Sequence, residues 1–492
     1  MGKIWDRETS EIIEEMDVFF NAKSIAVVGA SKTAGKVGHI IFKNIADNRR
    51  RGIYMGELYP VNPKEDSILG YDCYPDLISI NGDVELIIIA VPAKIVPSIM
   101  EDAQEKGVKA AAIITSGFSE VGEDELEERV RRQAEKAGIR VIGPNCLGVF
   151  DAYSGIDMLF LPETKTLKNK NVVIATPRPT PGEIAIVTQS GAFGAAAVDS
   201  LAGQEMGLSK LISFGNKIDV AEPEILLYLL QDERTKVILL YIEGIINGRR
   251  FMDAAQRVTK NKPVVALKAG KTEAGARAAL SHTGSIAGSD KLYDGVFKQV
   301  GIFRARNMEG FFDAAKALAL QPPARGKNIG IITDAGGPGI MASDECETLG
   351  LNVKRFSEKT AQKLRDLVEE GYIPSFAALR NPIDLTGGVT SEMYDLSTEI
   401  LLEDPDVHGI IILGLHHTPY LTEDFTDMIA ERSKNYDKPI VACDIGETEM
   451  AKYIRSRFNK LGIPAYSSPE DAAYAMSALV EYGEYNLRKG SL

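Results

Sequence analysis

Short apolar runs alternate with amphipathic stretches along most of the chain. The run SIAVV ends in the glycine-rich turn GASKTAGKVG, and a helical pattern follows, which predicts strand, turn and helix. Further apolar runs lie in GELYPVNP, VELIIIAVP, KAAAIITSGF and IRVIGPNCLG, separated by helical stretches such as DELEERVRRQAEKAG. An acidic amphipathic helix is predicted before them, at about residues 9–20. This alternation predicts an α/β fold with a parallel, doubly wound sheet.

The same order of strand, glycine turn and helix occurs twice more, in EIAIVTQSGAFGAAAV at 183–198 and in NIGIITDAGGPGIMASDECETLG at 328–350. The chain is therefore predicted to contain three consecutive doubly wound units. Proline, glycine and charge replace apolar periodicity near residues 152–168 and in QPPARGK at 321–327. The segment ATPRPTPG, 175–182, is predicted to be an inserted surface hairpin or loop. We place the domains at 1–155, 156–322 and 323–492.

Composition narrows the class of protein. A net charge of −13 over 492 residues argues against nonspecific binding to nucleic acid or to an anionic membrane, because the long-range field repels phosphate. No apolar run approaches the roughly 20 residues of a membrane span, and the acidic N-terminus does not fit a signal peptide, so a cytoplasmic protein is expected. The four cysteines contain no CxxC pair, which disfavours a disulfide framework or a zinc site, and no metal site is predicted.

The stretch LSHTGSIAGSD, 280–290, contains the first candidate for chemistry. His282 lies among small hydroxyl and glycine residues, a composition typical of a functional loop that leaves an imidazole accessible. We take His282 as the reactive centre. The alternative is a surface histidine in a helix-capping turn.

The first unit contains a candidate nucleotide site. GASKTAGKVG differs from the GxGxxG fingerprint in its spacing, and the second strand ends in VNPKE, with Asn62 and Lys64 where a NAD enzyme places an acid. A lysine there suits a phosphate, so Lys64 and the helix N-terminus after Gly29 could neutralise the 3′-phosphate of coenzyme A. A solvated lysine after a turn is the alternative.

Three further loops follow predicted parallel strands, namely AVPAK at 90–94, TSGFSE at 115–120 and GPNCLG at 143–148. Their positions fit a ligand crevice at the carboxyl ends of the strands. Asn145 could orient a thioester carbonyl there, although an asparagine in a turn is often only a cap.

The second unit contains a candidate phosphate site beside a carboxylate. In VTQSGAFG the strand is predicted to end at Thr188 and the helix to begin near Gly191, which places helix N–H groups, the Ser190 hydroxyl and a glycine at one point. An ordinary serine N-cap is the alternative. Glu243 follows the apolar run KVILLYI and could accept the Nδ1 proton of an imidazole, leaving Nε2 as the nucleophile. A strand-end glutamate in solvent is the other possibility.

The order GAS, VNPK, VPA, TSGF, GPNCLG, VTQSGAFG, YIEG and SHTGSIAGSD resembles the α subunit of NDP-forming acyl-CoA synthetases, relatives of succinyl-CoA synthetase and especially of the archaeal ADP-forming acetyl-CoA synthetases. TDAGGPGIMASD and NPIDLTGG resemble the ligase-like domain at the C-terminal end of these subunits. The resemblance covers essentially the whole chain. It implies a Rossmann-like CoA-binding domain followed by two flavodoxin-like, succinyl-CoA synthetase-like domains.

The resemblance also implies roles for single residues. His282 would be the phosphorylated histidine on a mobile loop, Glu243 the carboxylate that steadies it, and Gln189, Ser190 and Gly191 the phosphate site. The loops of the first unit would bind CoA, with the candidate residues Gly29, Ser31, Lys32, Val37, Gly38, Asn62, Lys64, Val91, Pro92, Ser116, Gly117 and Asn145.

Two features depart from the family pattern. The insertion NVVIATPRPTPG at 171–182 is longer than expected, and LGLHHTPY carries the unassigned pair His416 and His417. Neighbours on one strand point to opposite faces, which disfavours a metal shared by the two histidines.

No GxxxxGK[ST] loop is present, and no segment accommodates an ATP-grasp domain. In the resembling family that domain lies on a separate β subunit, which implies an α2β2 assembly with Mg²⁺ and ADP or ATP at the partner. The implied activity interconverts acyl-CoA, ADP and phosphate with acid, CoA and ATP through an acyl phosphate and a phosphohistidine. A non-catalytic CoA sensor is the main alternative. A NAD-dependent dehydrogenase is disfavoured because the chain lacks the acidic residue at the end of the second strand, and a protein acetyltransferase is disfavoured because no segment is left to form the added transferase domain. The acyl group, the choice of ADP or GDP and the direction of reaction stay open.

Overall fold

A computed structural model describes residues 9–277 and 290–490 of the protein. The contacts of the chain separate two compact units, 1–300 and 301–492, each of which contains parallel sheet covered by helices. The first unit contains two of the predicted sheets and the second contains one. In the described part of the chain no helix is long and apolar enough to cross a membrane.

The first sheet is parallel throughout, with the strand order β2-β1-β5-β6-β7. Four of its five strands are buried along their whole length, as expected for a sheet with helices on both faces. The carboxyl ends of all five strands therefore meet at one edge. In chain order its elements are α1 (Thr9–Asn21), β1 (Ser24–Val28), α2 (Val37–Arg50), β2 (Glu57–Val61), the hairpin β3 (Ser67–Ile68) and β4 (Tyr71–Asp72), β5 (Leu86–Ile89), α3 (Val96–Lys106), β6 (Ala110–Ile113), α4 (Asp124–Ala137) and β7 (Arg140–Ile142).

The second sheet of this unit has the order β14-β13-β11-β12-β8, in which only β8 runs antiparallel to its neighbour. β8 lies within the predicted first domain but pairs with the second sheet. The hairpin of β9 and β10 stands apart, with every residue of both strands exposed. The elements are β8 (Gly148–Asp151), β9 (Thr164–Thr166), β10 (Val172–Ile174), β11 (Pro181–Thr188), α5 (Gly191–Gly203), β12 (Leu208–Ser213), α6 (Glu222–Gln231), β13 (Val237–Ile242), α7 (Gly248–Thr259), β14 (Val264–Lys268) and α8 (Asp290–Val300).

The second unit is built on the sheet β17-β18-β16-β19-β20-β21, parallel except for β17. Its long last helix, Pro469–Lys489, packs against the helices Met308–Leu320 and Gly336–Thr348. The elements are β15 (Phe303–Arg304), α9 (Met308–Leu320), β16 (Ile329–Thr333), α10 (Gly336–Thr348), α11 (Glu358–Glu369), β17 (Ala378–Leu379), β18 (Ile383–Asp384), α12 (Ser391–Glu403), β19 (Gly409–Gly414), α13 (Phe425–Ser433), β20 (Ile440–Asp444), α14 (Glu449–Lys460), β21 (Ala465–Tyr466) and α15 (Pro469–Lys489).

A buried arginine joins the two sheets of the first unit. Arg140, at the start of β7, donates two hydrogen bonds of 2.8 and 3.1 Å to the carboxylate of Asp219, which follows β12. It also pairs with Glu15 of α1 at 2.5 Å. A bidentate pair of this kind fixes orientation as well as distance. The chain that follows β12 is thereby held against β7.

The insertion near 171–182 differs from its prediction. The hairpin precedes ATPRPTPG instead of lying within it, and β11 already begins at Pro181. Arg178 of this segment is directed inward and pairs with the buried Asp157 at 2.6 Å. The predicted loop is therefore partly a packing element.

Candidate functional site

A cavity of about 440 Å³ lies in the first unit, where loops after the strands of both sheets meet. Polar groups that follow β6, β7, β11 and β13 share it with apolar side chains. Six residues predicted from the sequence line it, together with others that the sequence did not indicate. The lining consists of Ile114, Ser116, Asn145, Cys146, Leu147, Phe160, Leu161, Gln189, Ser190, Gly191, Ala192, Ala195, Gly215, Asn216, Lys217, Glu243 and Ile246.

The turn between β11 and α5 forms one wall of the cavity. β11 ends at Thr188 and α5 begins at Gly191, as the sequence predicts. The Thr188 hydroxyl accepts from the Ser190 N–H at 3.1 Å, and Ser190 Oγ accepts from the Phe193 N–H at 3.2 Å. Ser190 is thus the N-cap of α5, and the positive end of the helix dipole opens on the cavity. Such an arrangement suits an anion.

Glu243 follows β13 directly and is buried in the wall of the cavity. Its Oε1 lies 3.4 Å from the Tyr241 hydroxyl. Its Oε2 is buried and has no hydrogen-bond partner among residues 9–277 and 290–490. A buried carboxylate oxygen without a donor is costly, since desolvation is uncompensated. The geometry excludes a strand-end glutamate in solvent and leaves one acceptor facing the site.

Gln189 fixes the backbone that carries Glu243. The side-chain oxygen of Gln189 accepts from the Glu243 N–H at 2.5 Å and from the Gly244 N–H at 3.0 Å. Gln189 also lines the cavity. The side-chain oxygen of Gln189 therefore stabilises the backbone at Glu243 and Gly244. Of the Gln189 side chain, the amide nitrogen is the group that could bind the predicted phosphate.

Lys217 is a site residue that the sequence analysis missed. Its Nζ donates to Glu222 at 2.9 Å and to the Gly244 carbonyl at 2.7 Å, and both charged side chains are buried. Lys217 adopts a positive φ of 60°, a backbone conformation that residues other than glycine rarely adopt. Lys217 thus holds the carbonyl of Gly244, whose N–H donates to Gln189. Because the contact depends on tertiary structure, no sequence motif marks it.

Asn145 reaches the cavity from the first sheet. It lies in the left-handed region with φ of 58°, and its N–H donates to the Thr115 carbonyl at 2.9 Å. Its side-chain amide lies 3.4 Å from Asn216, which in turn donates to Glu120 and Glu127 at 2.8 and 2.7 Å. Asparagine tolerates this conformation better than most residues. Asn145 is thus a strained turn residue whose side chain borders the cavity.

The other CoA candidates follow the carboxyl edge of the first sheet, outside the cavity lining. Gly29 has φ of 93°, and a Cβ on Gly38 would lie 2.0 Å from the Gly29 carbonyl oxygen, so α2 packs directly on the turn after β1. Asn62 after β2 binds the Ala30 carbonyl at 2.7 Å. The structure thereby brings two of the predicted loops into contact. The remaining candidates of this edge are Ser31, Lys32, Val37, Lys64, Val91, Pro92 and Gly117.

Lys32 and Lys64 differ in their surroundings. Lys32 pairs with Glu65 at 3.0 Å, and this hydrogen bond raises the pKa of Lys32. Lys64 is exposed, and its N–H donates to the Asn62 side chain at 2.9 Å. Ser31 is buried, and its Oγ accepts from the Thr33 N–H at 3.1 Å.

The thiol of Cys146, in the cavity lining, and the hydroxyl of Tyr241, beside Glu243, are held in their neutral forms. Burial raises the pKa of the Cys146 thiol to about 12. Burial, followed by the nearby charge of Glu243, raises the pKa of Tyr241 to about 12. Because the thiolate is the nucleophilic form of cysteine, Cys146 is a packing residue of the wall. His282, the predicted reactive centre, lies outside the described residues.

The pair His416 and His417 follows β19 instead of lying on it, since the strand ends at Gly414. Their rings lie 3.9 Å apart, so the expectation that they point to opposite faces is wrong. His416 Nδ1 contacts Asp444 at 2.6 Å and its Nε2 lies 3.2 Å from the Thr448 hydroxyl. Within residues 9–277 and 290–490, no group of three or more His, Cys, Asp or Glu side chains is placed to hold a metal ion.

Three family models match successive parts of the chain. They describe a CoA binding domain at 23–152, a succinyl-CoA ligase like flavodoxin domain at 181–318 and a ligase-CoA domain at 329–482. Among curated proteins, the chain is 38% identical over 478 residues to the α subunit of acetate–CoA ligase [ADP-forming] II from Pyrococcus furiosus, covering 95% of this chain and 97% of that one. The chain belongs to the ADP-forming acetate–CoA ligase α-subunit family. The predicted resemblance and the α/β fold class are thereby confirmed.

Other members of the family differ in length. The chain is 39% identical to the acetate–CoA ligase [ADP-forming] of Methanocaldococcus jannaschii, and the match covers 94% of this chain but only 62% of that protein. A solved structure described as dinucleotide forming acetyl-coenzyme A synthetase 1 of Ca. Korarchaeum cryptofilum, in complex with phosphate and ADP, matches with a TM-score of 0.86 and 36% identity. That match covers 96% of this chain and 98% of the other. The three domain boundaries and the roles of the site residues stay predictions.

Proposed function

We propose that the chain is the α subunit of an ADP-forming acyl-CoA synthetase. The supporting observation is the single cavity in which Ser116 and Asn145, from the CoA-binding domain, meet Ser190 and Gly191 at the helix N-terminus and the buried carboxylate of Glu243. A thioester, an anion and an imidazole are the three groups for which these walls are suited. The names of the curated relatives, all ligases or synthases of CoA esters, favour this function over a CoA sensor.

In the proposed reaction, an oxygen of phosphate bound at the Ser190 turn attacks the carbonyl carbon of the acyl-CoA thioester. The carbon–sulfur bond breaks, CoA leaves as the thiolate and takes a proton, and an acyl phosphate remains. The helix N-terminus and the Ser190 hydroxyl stabilise the negative charge of the phosphate.

His282 then receives the phosphoryl group. Its Nδ1–H donates to Glu243 Oε2, so that the lone pair of Nε2 attacks phosphorus while the phosphorus–oxygen bond to the acyl group breaks and the carboxylic acid leaves as its anion. Glu243 stabilises the positive charge that develops on the imidazole. Positioning and electrostatics supply most of the catalysis in such a transfer.

We propose that ADP and Mg²⁺ bind to a partner chain with an ATP-grasp domain, in an α2β2 assembly. Two considerations support a partner. The three domains that the family models match do not include an ATP-grasp domain, and the Pyrococcus relatives that match over nearly their full length are both named α subunits. The chain also spans about 62% of the longer Methanocaldococcus relative.

The test is an assay of ATP and free CoA with the chain, a candidate ATP-grasp chain, ADP, phosphate, Mg²⁺ and a panel of acyl-CoAs. We expect equal amounts of ATP and CoA when both chains are present and no ATP when either is left out. CoA release without ATP in the complete mixture would make the protein a thioesterase or phosphotransacylase and would overturn the proposal.

A further inference from the structure

Residues 157–161 form an irregular segment between β8 and the hairpin of β9 and β10. We name it the wall segment, because Phe160 and Leu161 line the cavity. Met158 and Leu159 beside them are fully buried, whereas Phe160 and Leu161 are half-buried. The two cavity-facing side chains thus stand on an anchored backbone, although the segment belongs to no sheet.

The guanidinium of Arg178 contacts the wall segment at several points. Arg178 donates from Nε to the Asp157 carboxylate at 2.6 Å and from Nη2 to the Leu161 carbonyl at 3.1 Å, with the Leu159 carbonyl at 3.4 Å. The carbonyls on both sides of Phe160 therefore contact the same nitrogen. A fourth contact, from Nη1 to the Thr176 carbonyl at 2.9 Å, ties the wall segment to the residues that lead into β11.

Helix α2 and strand β8 supply further anchors. The amide of Asn44, on α2, donates to the Leu159 carbonyl at 2.7 Å, and the Met158 N–H donates to the Val149 carbonyl at 3.0 Å. Asp157 is buried, and its second oxygen accepts from the Leu159 N–H at 3.0 Å. The hydrogen bonds of Arg178 and Asp157 named here go to the wall segment or to the insertion, and neither residue lines the cavity.

Apolar side chains line the cavity as well as polar ones. Phe160 and Leu161 share the lining with the small residues Ala192 and Ala195 of α5 and with Leu147. The phosphate and imidazole of the proposed reaction are polar and belong with the Ser190 turn and Glu243. An apolar wall next to a thioester site suits the hydrocarbon of the acyl group.

We propose that Phe160 and Leu161 determine which acyl chains the site accepts, and that Arg178 is the residue that positions them. The inference rests on the proposed function. It assigns a role to the insertion at 171–182, because Arg178 in this insertion positions the wall of the acyl pocket. The predicted ligand of this wall is an uncharged, apolar acyl chain. Truncation of the wall should favour bulkier chains, and enlargement should exclude them.

The test measures kcat/KM for acetyl-, propionyl-, isobutyryl- and phenylacetyl-CoA, using the complex with the ATP-grasp chain. Phe160→Ala and Leu161→Ala should raise the ratio of phenylacetyl- to acetyl-CoA by at least about tenfold, since a hydrophobic pocket discriminates by roughly 10- to 200-fold for each added or missing carbon group. Phe160→Trp should lower the same ratio. Ile174→Ala, on the exposed hairpin, is the matched control and should leave the ratio unchanged.

Arg178→Gln tests positioning. It should change the acyl-chain ratio and the KM for acyl-CoA while the KM for phosphate stays within about twofold, and Arg178→Lys should restore part of the original ratio. A general loss of folding would instead lower kcat for all substrates alike. Unchanged ratios in Phe160→Ala, Leu161→Ala and Phe160→Trp, in an enzyme that still forms ATP, would overturn this inference alone. Absence of ATP formation by the unaltered complex with every acyl-CoA would instead refute the proposed function.

Discussion

Glu243→Gln is expected to lower the rate of phosphoryl transfer to the chain by about 10²- to 10⁴-fold, the range associated with a group that sets the tautomer and charge of a catalytic imidazole. Glutamine has nearly the same shape as glutamate, but in place of Oε2 it presents an amide that donates. That amide cannot accept the imidazole N–H, and it provides no charge to stabilise an imidazolium. Folding should be unaffected or slightly favoured, because the buried Oε2 has no partner among the described residues.

The measurement is single-turnover phosphorylation of the purified complex by acyl-CoA and phosphate, followed by intact mass. Glu183→Gln is the matched control, because Glu183 is half-buried near the start of β11, pairs with Lys236 at 2.6 Å and lies outside the cavity lining. It should behave like the unaltered chain. A rate for Glu243→Gln within about threefold of that of the control would show that Glu243 does not act on the histidine.

Lys217→Met is expected to destabilise the first unit by about 3–5 kcal/mol, the typical cost of removing one partner of a buried ion pair. The side chains of Lys217 and Glu222 are 3% and 2% exposed, so the remaining carboxylate would be left without a cation and nearly without water. The variant also loses the hydrogen bond to the Gly244 carbonyl. Activity should therefore fall together with stability.

Hydrogen exchange in urea, read by mass spectrometry on peptides of both units, separates these effects. Peptides from 208–244 should exchange at a lower urea concentration in Lys217→Met, while peptides from 301–490 act as an internal control. The double variant Lys217→Met/Glu222→Gln should recover most of the stability, because no unpaired charge remains. Equal instability of the single and double variants would mean that packing, and not charge, accounts for the loss.

The strand, turn and helix pattern predicted the parts of the site that local sequence determines. Thr188, Gly191 and Glu243 lie where the sequence placed them, because the end of an apolar run before a glycine turn marks the carboxyl edge of a parallel strand. The burial of Glu243, and the position of Ser116 and Ser190 in the same cavity, depend on the tertiary structure. They depend on how two sheets are held together by Arg140, which no local pattern reveals.

Other features of the structure could not be predicted from the sequence, for identifiable physical reasons. Lys217 turns inward through a positive φ, and its partner Glu222 lies at the start of a helix where an exposed acid is the usual expectation. Arg178 lies in a proline-rich stretch that is typical of a surface loop, yet it pairs with a carboxylate 21 residues earlier. The expected geometry of His416 and His417 is wrong because it extends the strand three residues past the end of β19 at Gly414.

The central claim is that the chain carries a phosphoryl group on His282 during turnover. The most direct measurement is the intact mass of the chain, purified with its ATP-grasp partner, after incubation with acyl-CoA, phosphate and Mg²⁺ in the absence of ADP. We expect a gain of one acid-labile phosphoryl group that disappears on addition of ADP and is absent in His282→Asn. No gain with any acyl-CoA, or an equal gain in His282→Asn, would contradict the account.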